Sequence, residues 1–351
     1  MKVQVLLSAA LALLTTNLGV FADEVVDAAY VAAALKRGAI VWDVRGADDY
    51  AQGHIPGAVN IGNVANVLRN PNTEDFIPTA QVQKLLSGAG IDLAKEIIVY
   101  SRMGDPGAHF GVLTVRHFGG KKGKVFHGGM DEWQAAGQPV TKEETKLPAV
   151  EQNLTIDPTV QIYLTEVLAK LKSSDVQFVD ARTLKEFSGD DIHALRGGHV
   201  PGARNIPFEQ NWVDPDTGVK LTNGEVKNRD GMALKSAAQL TALYADLDPA
   251  KETIIYCQSG GRAAVTATVL RSLGFKKVRV FEESWLGYGN NLSAPAESVQ
   301  FVNIGVLNSR IRSLETELET LKAEVKAVHA AGRVGGKTDP GTGDQDKGKE
   351  P

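Results

Sequence analysis

One pattern occurs twice along this chain, and an internal duplication of this length restricts the fold to two similar domains in tandem. The first copy reads Ile40-Val41-Trp42-Asp43-Val44-Arg45, then Tyr50, then Gly53-His54-Ile55-Pro56-Gly57-Ala58. The second reads Phe178-Val179-Asp180-Ala181-Arg182, then Phe187, then Gly198-His199-Val200-Pro201-Gly202-Ala203. Each continues to an apolar run, Ile97-Ile98-Val99-Tyr100 before Ser101 and Ile254-Ile255-Tyr256 before Cys257, and then to a helical stretch and a further strand. The separation of equivalent residues grows from 137 at the Asp pair to 156 at the Ser/Cys pair, so the second copy carries insertions, one of them around Trp212 to Ser236. Short buried strands alternating with helices predict an α/β fold with one parallel sheet per copy, covered by helices on both faces.

The only cysteine, Cys257, opens the loop Cys257-Gln258-Ser259-Gly260-Gly261-Arg262. The loop lies between a predicted buried strand and an Ala/Val/Leu-rich helix, Ala263 to Leu273. A thiol there faces loop N–H groups and the positive end of a helix, both of which favour a thiolate. Gly260 and Gly261 let several N–H groups converge on one point, and Arg262 adds a fixed cation. The expectation is an anion-holding cradle built around a nucleophile, against the plainer reading of a buried structural cysteine beside a loose turn. A phosphatase or arsenate-reductase loop is one residue longer, so this cradle is sized for a sulfur atom rather than a phosphate.

Other motifs read as scaffolding. Asp-X-Arg ends a strand in each copy, and helical spacing would pair Arg182 with Glu186 and Arg45 with Asp49. The His-X-Pro-Gly-Ala segments read as turns whose histidine bonds nearby backbone. Asp214, Asp216 and Glu225 fall on a calcium-loop spacing, but Val219 stands where the template needs glycine, which argues against calcium. One cysteine and seven unpaired histidines offer no metal-ligand spacing.

Residues 1–22 begin Met1-Lys2, run apolar from Val3 to Leu14 and end Val20-Phe21-Ala22, the layout of a secretory signal peptide, which predicts a periplasmic or secreted protein. The apolar core is short for an uncleaved membrane span. The expected order is then a first domain over 25–140 lacking the nucleophile, a linker over 141–159, and a domain over 160–297 bearing Cys257. Beyond Asn303, Ile304, Leu307, Ile311, Leu314, Leu318, Leu321, Val325 and Val328 alternate spacings of three and four, a heptad seam that predicts a coiled coil over 303–330. That seam suits a homo-oligomer or a partner protein, with a helix folded back on the second copy as the alternative. Residues 331–351, rich in Gly, Asp and Lys, are expected to be disordered. With Lys+Arg 38 against Asp+Glu 42 and no basic block, nucleic-acid binding is not expected.

These residues resemble the tandem-rhodanese family of sulfurtransferases, which includes thiosulfate and 3-mercaptopyruvate sulfurtransferases. The resemblance covers about residues 25–297. It rests on the paired Asp-X-Arg and Gly-His-X-Pro-Gly-Ala elements, the loop opening at Cys257, and the segment from Trp285 to Glu297. It implies that Cys257 carries sulfur as a persulfide from a small-molecule donor to a thiol or cyanide acceptor, with no cofactor and no metal. It further implies that the loop from Gln258 to Arg262 binds the donor and that Arg196 supplies a second contact. Ser101 and Pro106 stand where the first copy would carry its cysteine and loop arginine. The loop's ending in Gly-Arg departs from the mercaptopyruvate pattern, while Ser259 matches that enzyme's serine; Gln258 and Ser259 lack the basic residue frequent in thiosulfate enzymes. A sulfur carrier or binding module recruited through the coiled coil is the non-enzymatic alternative.

Overall fold

The computed structural model describes residues 24–334, with side chains to residue 329. The predicted signal peptide, and the expected disordered tail apart from its first four residues, lie outside that range. Residues 331–334 differ from expectation, since they continue the C-terminal helix.

In the first copy, β1 (Ile40–Asp43), β2 (Val59–Asn60), β3 (Ile97–Tyr100) and β4 (Gly123–Phe126) form a parallel sheet in the order β2-β1-β3-β4. In the second, β5 (Gln161–Ile162), β6 (Val176–Asp180), β8 (Arg204–Asn205), β9 (Glu252–Tyr256) and β10 (Val278–Phe281) form the order β5-β10-β9-β6-β8, again all parallel. Between β6 and β8, β7 (Arg196–His199) pairs antiparallel with β11 (Glu297–Phe301) as a separate ribbon. Every residue of β1 and β3 is buried. Helices cover both faces of a parallel sheet, so its central strands read as continuous apolar runs rather than alternating ones.

Two helices join the copies: α1 (Pro106–His117), which follows β3, and α3 (Gly261–Ser272), which follows β9. Between them in the chain lies the short α2 (Leu184–Ser188). Nine residues of α1 and nine of α3 are buried, which leaves neither helix a solvent face and marks them as the shared core of both copies. Gly111 lets α1 lie close on its own sheet: a Cβ there would come within 2.6 Å of Val99 in β3. The buried hydroxyls of Thr114, Thr268 and Ser272 are satisfied by carbonyls one turn back.

The Asp-X-Arg motifs brace the sheets, though not through the expected partners. Arg182 forks onto Asp180, with Nε 2.9 Å from Oδ1 and Nη2 2.6 Å from Oδ2, and donates to the Gly198 carbonyl at 2.7 Å. Arg45 repeats this with Asp43 and the Gly53 carbonyl. Neither arginine bonds the acidic residue four positions on, because a carboxylate two residues back on the strand end already meets the whole guanidinium edge. The fork ties each central strand to its Gly-His-X-Pro turn, where His54 stacks on Tyr50 at 3.6 Å and His199 on Phe187 at 3.5 Å. Each histidine Nδ1 lies 2.8 Å from the carbonyl of that aromatic residue.

The second copy's insertion reaches back to the first. Arg229 donates to the Met103 carbonyl at 3.0 Å, and His127, itself 2.9 Å from His109, lies 2.8 Å from the Met232 carbonyl. Asp214, considered for calcium, instead takes Lys220 at 2.8 Å. The segment 141–159 lies along the first copy, with bonds from Val150 to Ser87 and from Asp157 to His117.

The C-terminal residues form a separate unit, dominated by α5 (Ile304–Val334); the helix preceding it in the second copy is α4 (Ser284–Asn290). No helix among the described residues is long and apolar enough to cross a membrane.

Candidate active site

Cys257 sits immediately past the carboxyl end of β9, with β6 on one side and β10 on the other, the edge at which open α/β sheets place their ligands. The residue is 1% exposed. The loop turns because Gly260 adopts φ +86°, a left-handed conformation that costs a side-chain-bearing residue about 1 kcal/mol or more. That turn aims the Gly260 N–H at the thiol, 3.1 Å from Sγ. The loop carbonyls point the other way: Trp285 N–H donates to Cys257 at 3.0 Å and Leu286 N–H to Gln258 at 2.9 Å, both from the start of α4. α3 begins at Gly261 with no side chain capping its N-terminus, so its positive end is open beside the sulfur.

Ser284 supports the floor of this loop. Its Oγ accepts from the Cys257 N–H at 3.3 Å and donates to the Phe281 carbonyl at 2.8 Å. To do so it holds φ +49°, unusual for a residue other than glycine.

Arg262 points toward α2. Its Nη1 and Nη2 each lie 2.7 Å from an oxygen of Glu186, a bidentate pair. Thr183 at the N-cap of α2 donates to the same carboxylate from its N–H and its hydroxyl. Burial alone would raise the Glu186 carboxyl, but the Arg262 fork and the Thr183 donors outweigh it and hold the pKa at about 2. Burial alone would also disfavour the Arg262 cation; the hydrogen bonds to Glu186 and the charges of Cys257 and Glu186 reverse that and raise its pKa.

The first copy closes the site. A cavity of about 530 Å³ is walled on one side by Asn66, Arg69, Pro106 and Phe110 and on the other by Cys257, Ser259, Gly261 and Arg262. Arg69 donates through Nη1 to the Ser259 carbonyl and through Nη2 to Glu282 at 3.2 Å, and lies over the Phe110 ring at 4.7 Å. Glu282 also accepts from Phe76 N–H and from Gln161. Its burial raises the carboxyl to about 7, against the lowering effect of Arg69.

The structure thus brings Cys257, Ser259, Gly261 and Arg262 to one cavity, with the Gly260 amide at its floor, and sends the Gln258 amide outward to the His193 carbonyl at 2.8 Å. Arg196 is elsewhere. Its Nη2 donates to the carbonyls of Asn291 and Ala294 at 3.0 and 2.7 Å, and its own carbonyl accepts from Trp285, so it fastens the closing segment instead of contacting the cavity. The family resemblance implied a donor contact for Arg196; the structure places it on the antiparallel ribbon β7, bonded to these carbonyls. Three residues that sequence reasoning missed complete the geometry: Glu186, Arg69 and Glu282. Glu186 had a local signal in the Thr183-to-Glu186 capping box, whereas Arg69 and Glu282 had none. A larger cleft of about 770 Å³, between Arg116, Lys121, Arg271 and Lys277, is lined without a cysteine. Among the described residues no three His, Cys, Asp or Glu side chains come together as a metal site.

A buried cysteine beneath a backbone N–H at the head of a helix, on a doubled parallel α/β scaffold, is an arrangement in which a thiolate can act as a nucleophile. The rhodanese-like domain model matches this chain twice, over residues 27–136 and 164–291. The chain is similar to the thiosulfate sulfurtransferase of Corynebacterium glutamicum, 35% identical over 71% of this chain and 81% of that protein. It is 32% identical to a putative thiosulfate sulfurtransferase of Mycobacterium tuberculosis, over 71% of this chain and 87% of that one. Among solved structures it resembles SseA of Escherichia coli, described as a 3-mercaptopyruvate sulfotransferase, with a TM-score of 0.63, 25% identity, and coverage of 74% of this chain and 98% of the other. The chain belongs to the tandem rhodanese family and is a sulfurtransferase.

Proposed function

We propose that this sulfurtransferase takes the outer sulfur of thiosulfate onto Cys257 and delivers it to cyanide or a thiol. The Cys257 thiolate attacks the outer sulfur, a new S–S bond forms, and the bond to the sulfonate sulfur breaks with its electron pair leaving on sulfite. Cys257 then holds a persulfide, whose terminal sulfur bears the negative charge. In the second half, the acceptor's carbon or sulfur attacks that terminal sulfur, and the Cys257 thiolate departs with the electron pair. With cyanide or a thiolate as acceptor, neither half needs a proton or redox partner; a neutral thiol gives up its proton to solvent first.

The observation that carries this reading is the Gly260 N–H at 3.1 Å from Sγ beneath an uncapped helix terminus, a fixed dipole arrangement that favours negative sulfur without reorganisation. The Glu186 pairing makes Arg262 a rigid wall of the cavity instead of a mobile clamp, and Arg69 of the first copy brings a second guanidinium to the donor side. The names of the relatives favour thiosulfate as donor over 3-mercaptopyruvate.

Steady-state thiosulfate:cyanide turnover tests the reading. The wild-type chain is expected to turn over with ping-pong kinetics and to show a higher kcat/KM for thiosulfate than for 3-mercaptopyruvate. Cys257→Ser is expected to lose at least ~10³-fold in kcat. Unchanged turnover in that variant removes Cys257 from the mechanism, and a preference for mercaptopyruvate reassigns the donor.

A further inference from the structure

We propose that α5 joins two copies of this chain as a parallel, two-stranded coiled coil. The helix runs 31 residues, about 46 Å at 1.5 Å per residue. From 304 to 329 every side chain on it is exposed, so its apolar stripe is left unburied by the described residues. That stripe is regular. With Ile311 at position a of the heptad, the a positions hold Ile304, Ile311, Leu318 and Val325, and the d positions hold Leu307, Leu314, Leu321 and Val328. Their exposures run from 44% at Ile311 to 70% at Val328. Eight aliphatic side chains in one unbroken line form a contiguous surface that a single soluble chain rarely leaves in water.

The charges beside the seam identify the occupant as a second copy in the same direction. In a parallel pair, each g residue faces the e residue five positions on in the other helix. Arg310 then meets Glu315 of the partner subunit, Glu317 meets Lys322 of the partner subunit, and Glu324 meets His329 of the partner subunit; by symmetry each contact forms twice. An antiparallel pair centred on the same seam would bring both copies of Glu317 together near the crossing point, and both copies of Glu315. Among the described residues these side chains make exposed contacts along their own helix, Arg310 with Glu317 at 3.5 Å, Ser313 with Glu317 at 3.0 Å and Lys322 with Glu319 at 2.9 Å, which hold little energy and leave them able to re-pair. β-Branched residues at three of four a positions, with leucine at three of four d positions, select two strands over three or four. Parallel pairing makes both sulfurtransferase units leave the stalk from the same end.

The mass of the full chain in solution, by light scattering after size exclusion, is expected to be twice that of one chain. Leu314→Glu with Leu321→Glu should halve it and leave thiosulfate:cyanide kcat per chain unchanged. Orientation is read by Leu307→Cys in a Cys257→Ser background: oxidation should link nearly all chains as dimers, since equivalent d residues adjoin only in a parallel pair. Arg310→Glu should weaken the dimer, and adding Glu315→Arg should restore it. A monomer at micromolar concentration, a trimer, or a dimer that survives the double glutamate variant overturns the proposal, as does failure of the Leu307→Cys variant to cross-link while it is dimeric.

Discussion

The two copies place equivalent helices after equivalent strands, yet begin them differently. In the first copy, Asp105 caps α1, accepting from the Gly107 N–H at 2.8 Å, and Pro106 occupies the first turn. Ser101, at the position matching Cys257, donates to the same Asp105 carboxylate at 2.5 Å. The positive end of α1 is thus filled by the chain's own negative charge. In the second copy, Gly260 stands at the cap with no side chain, and its N–H turns to the sulfur. The floor differs likewise: Gly129 takes φ +52° where Ser284 takes φ +49° and adds a hydroxyl under Cys257. The duplicated scaffold thus leaves one helix terminus without a side-chain cap and closes the other with a carboxylate. The closed copy still contributes, since Arg69 and Phe110 wall the cavity of the open one.

Making the open terminus resemble the closed one should give the largest effect. Gly260→Asp keeps a residue type that tolerates positive φ but sets a carboxylate beside the thiolate. It is expected to lower kcat/KM for thiosulfate about 10²-fold, the scale of losing one aligned donor. Retention of wild-type kinetics would show that an uncapped terminus is irrelevant to the reaction. Arg262→Lys keeps the charge but not the fork onto Glu186. We expect about a tenfold loss in kcat/KM and a fall in unfolding free energy of about 1–2 kcal/mol by urea titration, and no change in either would deny the fork a role.

A smaller effect is expected at the floor. Ser284→Gly copies Gly129, relieving the backbone while deleting the bond to the Cys257 amide. The two changes oppose each other in stability, so thermal midpoints should barely move while kcat falls a few-fold. A gain in stability with full kcat would mean the hydroxyl serves only the turn.

The smallest effect separates the copies by pH. Burial lowers the pKa of His109, with His127 adding to it, and lowers that of His127. Burial likewise brings His117 down to about 4. All three belong to the first copy. Each takes up protons more readily unfolded, near pH ~6.5, than folded. Their contribution is therefore complete above pH ~6.5 and is lost progressively as pH falls below it, for His117 as pH falls through about 4. Urea midpoints should drop across that window, and His117→Asn should flatten part of the slope; a slope unchanged in the variant would place the acid sensitivity elsewhere.

Local features were legible in the sequence. The repeated strands, the turn at Cys257 and the heptad seam each lie within a few residues, and periodicity or turn chemistry reports them directly. Pairings across the chain were not. Arg262 meets Glu186 across 76 residues, and Arg69 meets Glu282 across 213. Helical spacing made Arg182 the natural partner for Glu186, but Asp180 and the Gly198 carbonyl engage Arg182 and leave Glu186 to Arg262. Arg196, for which the family resemblance implied a donor contact, bonds two carbonyls of the closing segment, a pairing across 95 and 98 residues that no local pattern reports.

The most direct test of the contrast between the copies is the intact mass of the chain after incubation with thiosulfate and removal of excess donor. Wild type is predicted to gain one sulfur atom, and Cys257→Ser none. Cys257→Ser with Ser101→Cys, which moves the only thiol to the closed terminus beside Asp105, is also predicted to gain none. A sulfur on that double variant at the wild-type rate, or an unmodified wild-type chain, would contradict the claim that the open cradle at Cys257 makes this protein a sulfur carrier.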